Sequence, residues 1–331
     1  MAERSGGGQR HWLSDDVIGS AAAAAAFIGV GLSVVATRFA IAQSDALTLA
    51  FMRNGVAFVL LYPFLRRAAH GAKPVKGPDL AVICLFGLSS FMAFPLLFTA
   101  ALRYAPATHG ALALPAATPV LTLALATVLR REKFDAFKAI GVLLAALGVV
   151  AALVDTGAAT SAAPGDSGKV WLGDILMLLA AATIAIYNVF TRPYLNKYGT
   201  LRLLSIALAA GSAALLLLVV GSLLLGRTGW PVMDRNGWIA VAVVCIASAL
   251  SNWLWSWALS RTTPTRVAVF MTLNPLVAMA LAILLLGEPA SMALGIGLVL
   301  VLAGIVLVNL PVAAIQRRRP SAGLERLDLR S

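Results

Sequence analysis

The sequence predicts an all-α integral membrane protein, with ten transmembrane helices built as two inverted five-helix repeats. Three observations predict it. Of the 331 residues, 60% are hydrophobic and 12% are charged, and the mean hydropathy is +0.89. A soluble domain carries roughly 25% charged residues. Apolar runs recur along the chain at the length needed to cross a hydrocarbon layer of roughly 30 Å, which takes about 20 helical residues. The second half also echoes the first at a fixed spacing.

Stretches free of Asp, Glu, Lys and Arg cover 17–37, 80–102, 104–129, 139–154, 175–191, 203–226, 236–260, 267–287 and 289–316; a tenth, 46–65, is broken only by Arg53. The fifth and sixth runs are the shortest. The runs are continuous and not alternating, which selects helices over barrel strands. The first is too long for a signal-peptide h-region, so cleavage is not expected. The organisation that follows is a cytoplasmic tail (1–16), a first repeat (17–154), an external linker (155–169), a second repeat (170–312) and a basic cytoplasmic tail (313–331).

Charge sets the orientation. A net charge of +12 on one polar face would suggest nucleic acid. Here the basic residues lie between apolar runs, so no nucleic-acid partner is expected. With the N-terminus inside, 20 of the 26 Lys and Arg residues fall in cytoplasmic segments. That bias places both termini in the cytoplasm. Trp171, Trp230 and Trp238 then fall at the outer interface, as an aromatic belt does.

Pro119 and Pro275 are 156 residues apart, as are Glu132 and Glu288, Gly141 and Gly297, and Gly148 and Gly304; Thr37-Arg38 pairs with Thr191-Arg192 at an offset of 154. A five-span repeat has odd parity, so its second copy is upside down. Two opposed halves can exchange inward and outward shapes, a recurring plan for secondary transporters with the substrate near the midplane.

Residues 101–107 (Ala-Leu-Arg-Tyr-Ala-Pro-Ala), Pro115, Pro119, Arg131-Glu132-Lys133, Gly141-Val142-Leu143-Leu144 and Gly148-Val149 resemble the repeat of the EamA family, within the drug/metabolite transporter superfamily. Asn274-Pro275, Leu286-Gly287-Glu288-Pro289, Gly297 and Gly304 resemble its second copy. The first copy departs at Arg130-Arg131-Glu132, where relatives often carry Leu-Gly-Glu. The resemblance implies ten helices, a bacterial cytoplasmic (inner) membrane and a central cavity. It implies that the third, fourth, eighth and ninth helices line this cavity, with help from the first and sixth. It implies transport of small metabolites, amino-acid export (aromatic ones included) being the best single expectation. A carrier of drugs, nucleosides or a lipid-linked headgroup is the alternative; a membrane enzyme and a non-transporting subunit rank below.

Cavity candidates are the polar and aromatic side chains within spans: Tyr187, Asn188, Asn252, Trp253 and Asn274. For Tyr187, Asn188 and Asn252 the competing role is interhelical hydrogen bonding. For Asn274 it is satisfying the carbonyl freed by Pro275, which is slightly preferred. Trp253, Trp255 and Trp257 cannot share a helical face, since a step of two turns the helix by about 200°. An interfacial anchor is the preferred reading for them. Pro95, Pro119 and Pro275 each remove a helix hydrogen bond; a break at the cavity and a packing kink are balanced for the last two, and packing is preferred for Pro95. Arg53 lies about 10 Å in from the outer end of its span, at 1.5 Å per residue. Snorkelling or structural pairing is preferred to carboxylate binding. His109 could titrate near neutrality, but ranks as packing before proton coupling. No phosphate-binding loop, metal-spaced cluster or catalytic triad occurs, so neither enzymatic activity nor a cofactor is expected. The expected partners are a small-molecule substrate and the lipid bilayer; the oligomeric state is not legible.

Overall fold

The computed structural model describes residues 7–69, 74–129, 136–153, 169–227, 231–261, 270–271 and 273–309. Among these are eleven α-helices, one π-helical segment and no strand. In chain order they are α1 (Gly7–Ile41), α2 (Ala46–Ala69), α3 (Gly77–Gly87), the π segment (Leu88–Ala93), α4 (Phe94–Tyr104), α5 (Ala107–Val128), α6 (Ala136–Leu153), α7 (Val170–Tyr198), α8 (Thr200–Leu224), α9 (Arg235–Arg261), α10 (Leu273–Leu286) and α11 (Met292–Asn309).

Seven helical stretches are long and apolar enough to cross a membrane, with α3, the π segment and α4 forming one stretch, Gly77–Tyr104. Three shorter apolar helices, Ala139–Ala151, Leu273–Leu286 and Met292–Leu307, occupy the fifth, ninth and tenth expected positions. The sixth stretch, Val170–Thr191, is longer than its charge-free run, because Asp174 lies inside it and is bonded to His109. α1 begins at Gly7, so the described part of the expected tail over 1–16 is helical, and the membrane-length apolar stretch within α1 starts at Val17; residues 7–16 contain no proline to stop a helix. Residues 130–133 with Glu132, Trp230, the linker over 155–168 and everything after Asn309 lie outside the described residues.

Lipid tails are as apolar as leucine, so helices in a bilayer associate through close packing, for which small side chains are suited. The main buried cluster fits this rule. Ala101, Ala105, Ala111 and Ala116 of the first half meet Ala180, Ala278 and Ala282 of the second in one cluster. The pairings respect the repeat. α1 packs on α9 and α10, and α7 packs on α4 and α5; α2 faces α8, α5 faces α10 and α6 faces α11. Exchanging the halves maps this set onto itself.

The repeated glycines carry the last of these contacts. A Cβ on Gly148 would lie 2.7 Å from the Gly297 carbonyl oxygen, and one on Gly304 would lie 2.6 Å from that of Gly141. No side chain fits at either point. The contact is reciprocal: each glycine of one helix meets the equivalent of its fellow in the other. The order of residues reverses between the two, so α6 and α11 run antiparallel. Thr37 and Thr191 also behave alike. Both are buried, and their hydroxyls donate to the carbonyls of Ser33 and Tyr187, four residues back, at 2.6 Å.

Candidate functional site

The third helical stretch is where local chemistry departs most from a plain helix. Pro95 has no N–H, so the carbonyl of Phe91, four residues earlier, lacks its α-helical donor. The chain widens into the π segment just before it, where the N–H of Phe94 reaches back to Ser89. The Phe91 carbonyl is taken by the side-chain amide of Asn54 on α2, and Ser89 Oγ donates to the Thr183 carbonyl on α7 at 3.1 Å. Such π turns frequently mark functional sites. Pro95, expected to shape packing, therefore ties three helices together at this point. Asn54 was not singled out from the sequence; a polar residue beside the intramembrane Arg53 was the available signal.

Pro275 stands just after an interruption: Phe270 is helical, Met271 lies in a turn and α10 begins at Leu273. It sits in the first turn of α10, where an N–H would have no intrahelical partner. The carbonyl four residues back, Met271, accepts the backbone N–H of Asn274 at 3.2 Å. The side chain of Asn274 is not what satisfies that carbonyl. Its Oδ1 is buried without a hydrogen-bond partner, on a helix whose backbone lies against Gly31 of α1. Pro119 lies within α5, which runs unbroken from Ala107 to Val128.

A buried ionic cluster closes the end of the molecule expected to be external. The N-cap of α5 is Pro106, whose side chain offers no cap, leaving first-turn N–H groups in need of acceptors. Glu288 supplies them from the loop after α10. Its Oε1 and Oε2 accept from the N–H groups of Ala107 and Thr108 at 2.7 and 2.9 Å. Gly287, at φ +67°, provides the left-handed turn that sends the chain across. Beside it, Arg38 of α1 donates from Nη1 to the carbonyl of Leu102 at the end of α4. Nδ1 of buried His109 lies 2.8 Å from Asp174 Oδ1 on α7, while Nε2 is buried without a partner.

At the opposite end, a cleft of about 710 Å³ lies between α3 and α7, lined by Phe86, Ser89, Phe190 and Tyr194 and rimmed by Asp79 and Lys197. Lys197 Nζ meets Asp79 Oδ2 at 2.5 Å, and the Tyr198 hydroxyl donates to the same oxygen. The bond to Asp79, and secondarily to Tyr198, holds the lysine above the ordinary lysine range. Tyr187 presses edge-on against Phe86 and Phe91, with centroids 6.4 and 6.0 Å away. Its neighbour Asn188 is exposed and does not join this group. On α9, Trp253 stacks on Trp257 at 6.0 Å and 10°, and Arg261 lies 4.6 Å over the Trp257 ring. Trp255 faces elsewhere, 44% exposed, as helix geometry requires. Asn252 is half-buried on the same helix. Arg53 carries a buried, unpartnered Nη1. Among the described residues, no group of three His, Cys, Asp or Glu side chains gathers to hold a metal.

The model of the EamA-like transporter family matches residues 17–154 and 171–310. The chain belongs to this family. A crystal structure of a protein aligns over 92% of this chain and 99% of its own, at 17% identity and a TM-score of 0.59; it supports the fold alone. No curated protein matches the sequence. In this EamA-like chain the two matched segments coincide with the two halves whose helices pack interchangeably. The groups that sequence reasoning missed, Asn54, Asp174 as the partner of His109, and Glu288 as a remote cap, are all contacts between helices far apart in sequence.

Proposed function

We propose that this chain is a secondary transporter of small metabolites working by alternating access. Its ten spans form two inverted five-helix repeats in a bacterial inner membrane, with both termini cytoplasmic. The observation that carries this reading is the reciprocal, antiparallel contact of α6 on α11, together with pairings that survive exchange of the halves. Equivalent helices that run antiparallel belong to copies of opposite orientation. Asn274, with its unpartnered buried oxygen, and Tyr187, at the aromatic wall beside the π segment, are the substrate-facing residues of this reading. Amino-acid export is the preferred activity, since an amide and aromatic rings suit a small amphipathic zwitterion.

A second reading, carriage of a lipid-like or drug-like amphiphile, is favoured by the α3–α7 cleft. It combines a charged rim with apolar walls, and exposed Leu85 and Ile186 stand at its edge. Counterflow into liposomes separates the two. Protein reconstituted with labelled amino acids, nucleosides, cationic drugs and a fluorescent phospholipid should exchange an amino acid, and Asn274→Ala should abolish that exchange while remaining folded. Exchange of amphiphiles alone selects the second reading. Folded protein that exchanges nothing refutes both.

A further inference from the structure

Arg53 is a cation in the wrong place unless something negative comes to it. It lies one helical step from Asn54, on the stretch of α2 that packs against α4, α8 and α9. Its Nη1 is buried without a hydrogen-bond partner, and Cys245 of α9 bonds the backbone of the residue before it. Cys245 belongs to the central buried cluster, with Met52 packed against that cluster. An intramembrane cation normally pairs with an acid or reaches the headgroups. Five acidic side chains, those of Asp45, Asp79, Asp174, Asp234 and Glu288, are engaged elsewhere. Asp45 accepts from the Thr48 N–H, Asp79 from Lys197, and Asp234 from the Gly237 N–H. Asp174 holds His109, and Glu288 caps α5.

The backbone around Arg53 is held on three sides. Cys245 Sγ donates to the Met52 carbonyl at 3.4 Å, and Ser212 Oγ of α8 donates to the Asn54 carbonyl at 3.3 Å. The Asn54 amide bonds the carbonyl that Pro95 frees at Phe91. Three hydrogen bonds to three different helical segments thus fix the rotation of α2 at residues 52–54 and aim residue 53. A guanidinium presents donors in a rigid planar fork that matches two carboxylate oxygens. Fixing its base in advance lowers the ordering cost of binding.

We infer that Arg53 is the anchor of a binding site for a single anionic oxygen group, a carboxylate or phosphate, between α2, the π segment and α9. This rests on the transporter reading where the anion is part of the transported solute. It makes that solute a carboxylate, which a zwitterionic amino acid satisfies and a purely cationic drug does not.

The test uses the full chain in nanodiscs of zwitterionic lipid. The probes are amino acids and simple monocarboxylates, each paired with its neutral primary amide, and binding is read as thermal stabilisation against concentration. Wild type should bind at least one acid in preference to its amide. Arg53→Gln should weaken the acid by about 10- to 100-fold, the range of one charge-assisted hydrogen bond, and leave the amide unchanged. Where Arg53→Gln does not fold, Arg53→Lys keeps the charge without the fork and should still weaken the acid. Native mass spectrometry identifies the lipid source. An anionic phospholipid that co-purifies with wild type and not with the variants assigns the same site to a headgroup phosphate. Equal binding of acids and amides by wild type, or acid binding indifferent to Arg53, with no such lipid retained, overturns the assignment. Acid binding that depends on Arg53 without counterflow of any solute keeps the anion site and refutes the transporter reading instead.

Discussion

Removal of the Glu288 carboxylate should be among the most damaging single changes outside the packed interior. Glu288 accepts from two N–H groups, those of Ala107 and Thr108, whose residues are 0% and 1% exposed. Water has no easy access to replace it. A hydrogen bond to a charged group contributes about 1.5–3 kcal/mol net, so Glu288→Ala should cost about 3–6 kcal/mol. Glu288→Gln keeps one acceptor but loses the charge at the positive end of α5, where a partly buried anion gains up to about 2 kcal/mol. It also turns an NH₂ group toward a backbone donor. Its cost should fall between wild type and alanine. Equilibrium unfolding in mixed micelles, followed by tryptophan fluorescence, ranks the three proteins. An alanine variant within about 0.5 kcal/mol of wild type, a margin typical of neutral surface changes, would refute the capping argument.

Asn54 and Pro95 should be coupled. Asn54→Ala alone leaves the Phe91 carbonyl unpaired at membrane depth and should cost about 1–2 kcal/mol, the range for interhelical hydrogen bonds in bilayers; in a Pro95→Ala background, where residue 95 again has an N–H, the same change should cost less, and a double-mutant cycle measures the difference. Gly148→Val should disrupt the α6–α11 contact by more than about 3 kcal/mol, beyond the usual overpacking range because the clash is with backbone, and Gly304→Val should match it. Thermal melts in detergent check both. Trp257→Ala should remove a ring stack and a cation–π contact together, about 1–2 kcal/mol in all, whereas Trp255→Ala, on the outer face, should leave the melting temperature unchanged.

The helix positions were legible because nearly every span is a long run free of charge, Arg53 and Asp174 being interruptions, and little else in the chain competes with that signal. Where the reading slipped, the physics is specific. The sixth stretch was cut short at Asp174, since composition cannot show that a histidine 65 residues away will pair with the acid. Repeat spacing identified Gly141, Gly148, Gly297 and Gly304, which do meet; it could not say that they meet one another. The prolines were ranked by recurrence, which favoured Pro119 and Pro275 over Pro95. Recurrence reports ancestry. The cost of a proline depends on whether its i−4 carbonyl sits inside a helix, and Pro95 hands that carbonyl to another helix. Among the polar candidates, Asn188 points outward and Asn274 keeps a buried oxygen unpartnered, a distinction of helix phase that a list of residue types does not hold.

The glycine contact between α6 and α11 has a thermodynamic consequence for a carrier whose halves trade conformations. A reciprocal contact on the axis relating the two halves is carried onto itself when they exchange roles, so it contributes the same free energy to both end states. Paired substitution of equivalent glycines there changes how well the molecule holds together and leaves the ratio of the two states alone. Glu288 is off that axis, and its counterpart Glu132 is flanked by Arg131 and Lys133, whereas Glu288 sits between Gly287 and Pro289. Under the proposed alternating access, a resting preference for one state would be written in such unequal pairs, with the glycines as the fulcrum about which that imbalance is weighed.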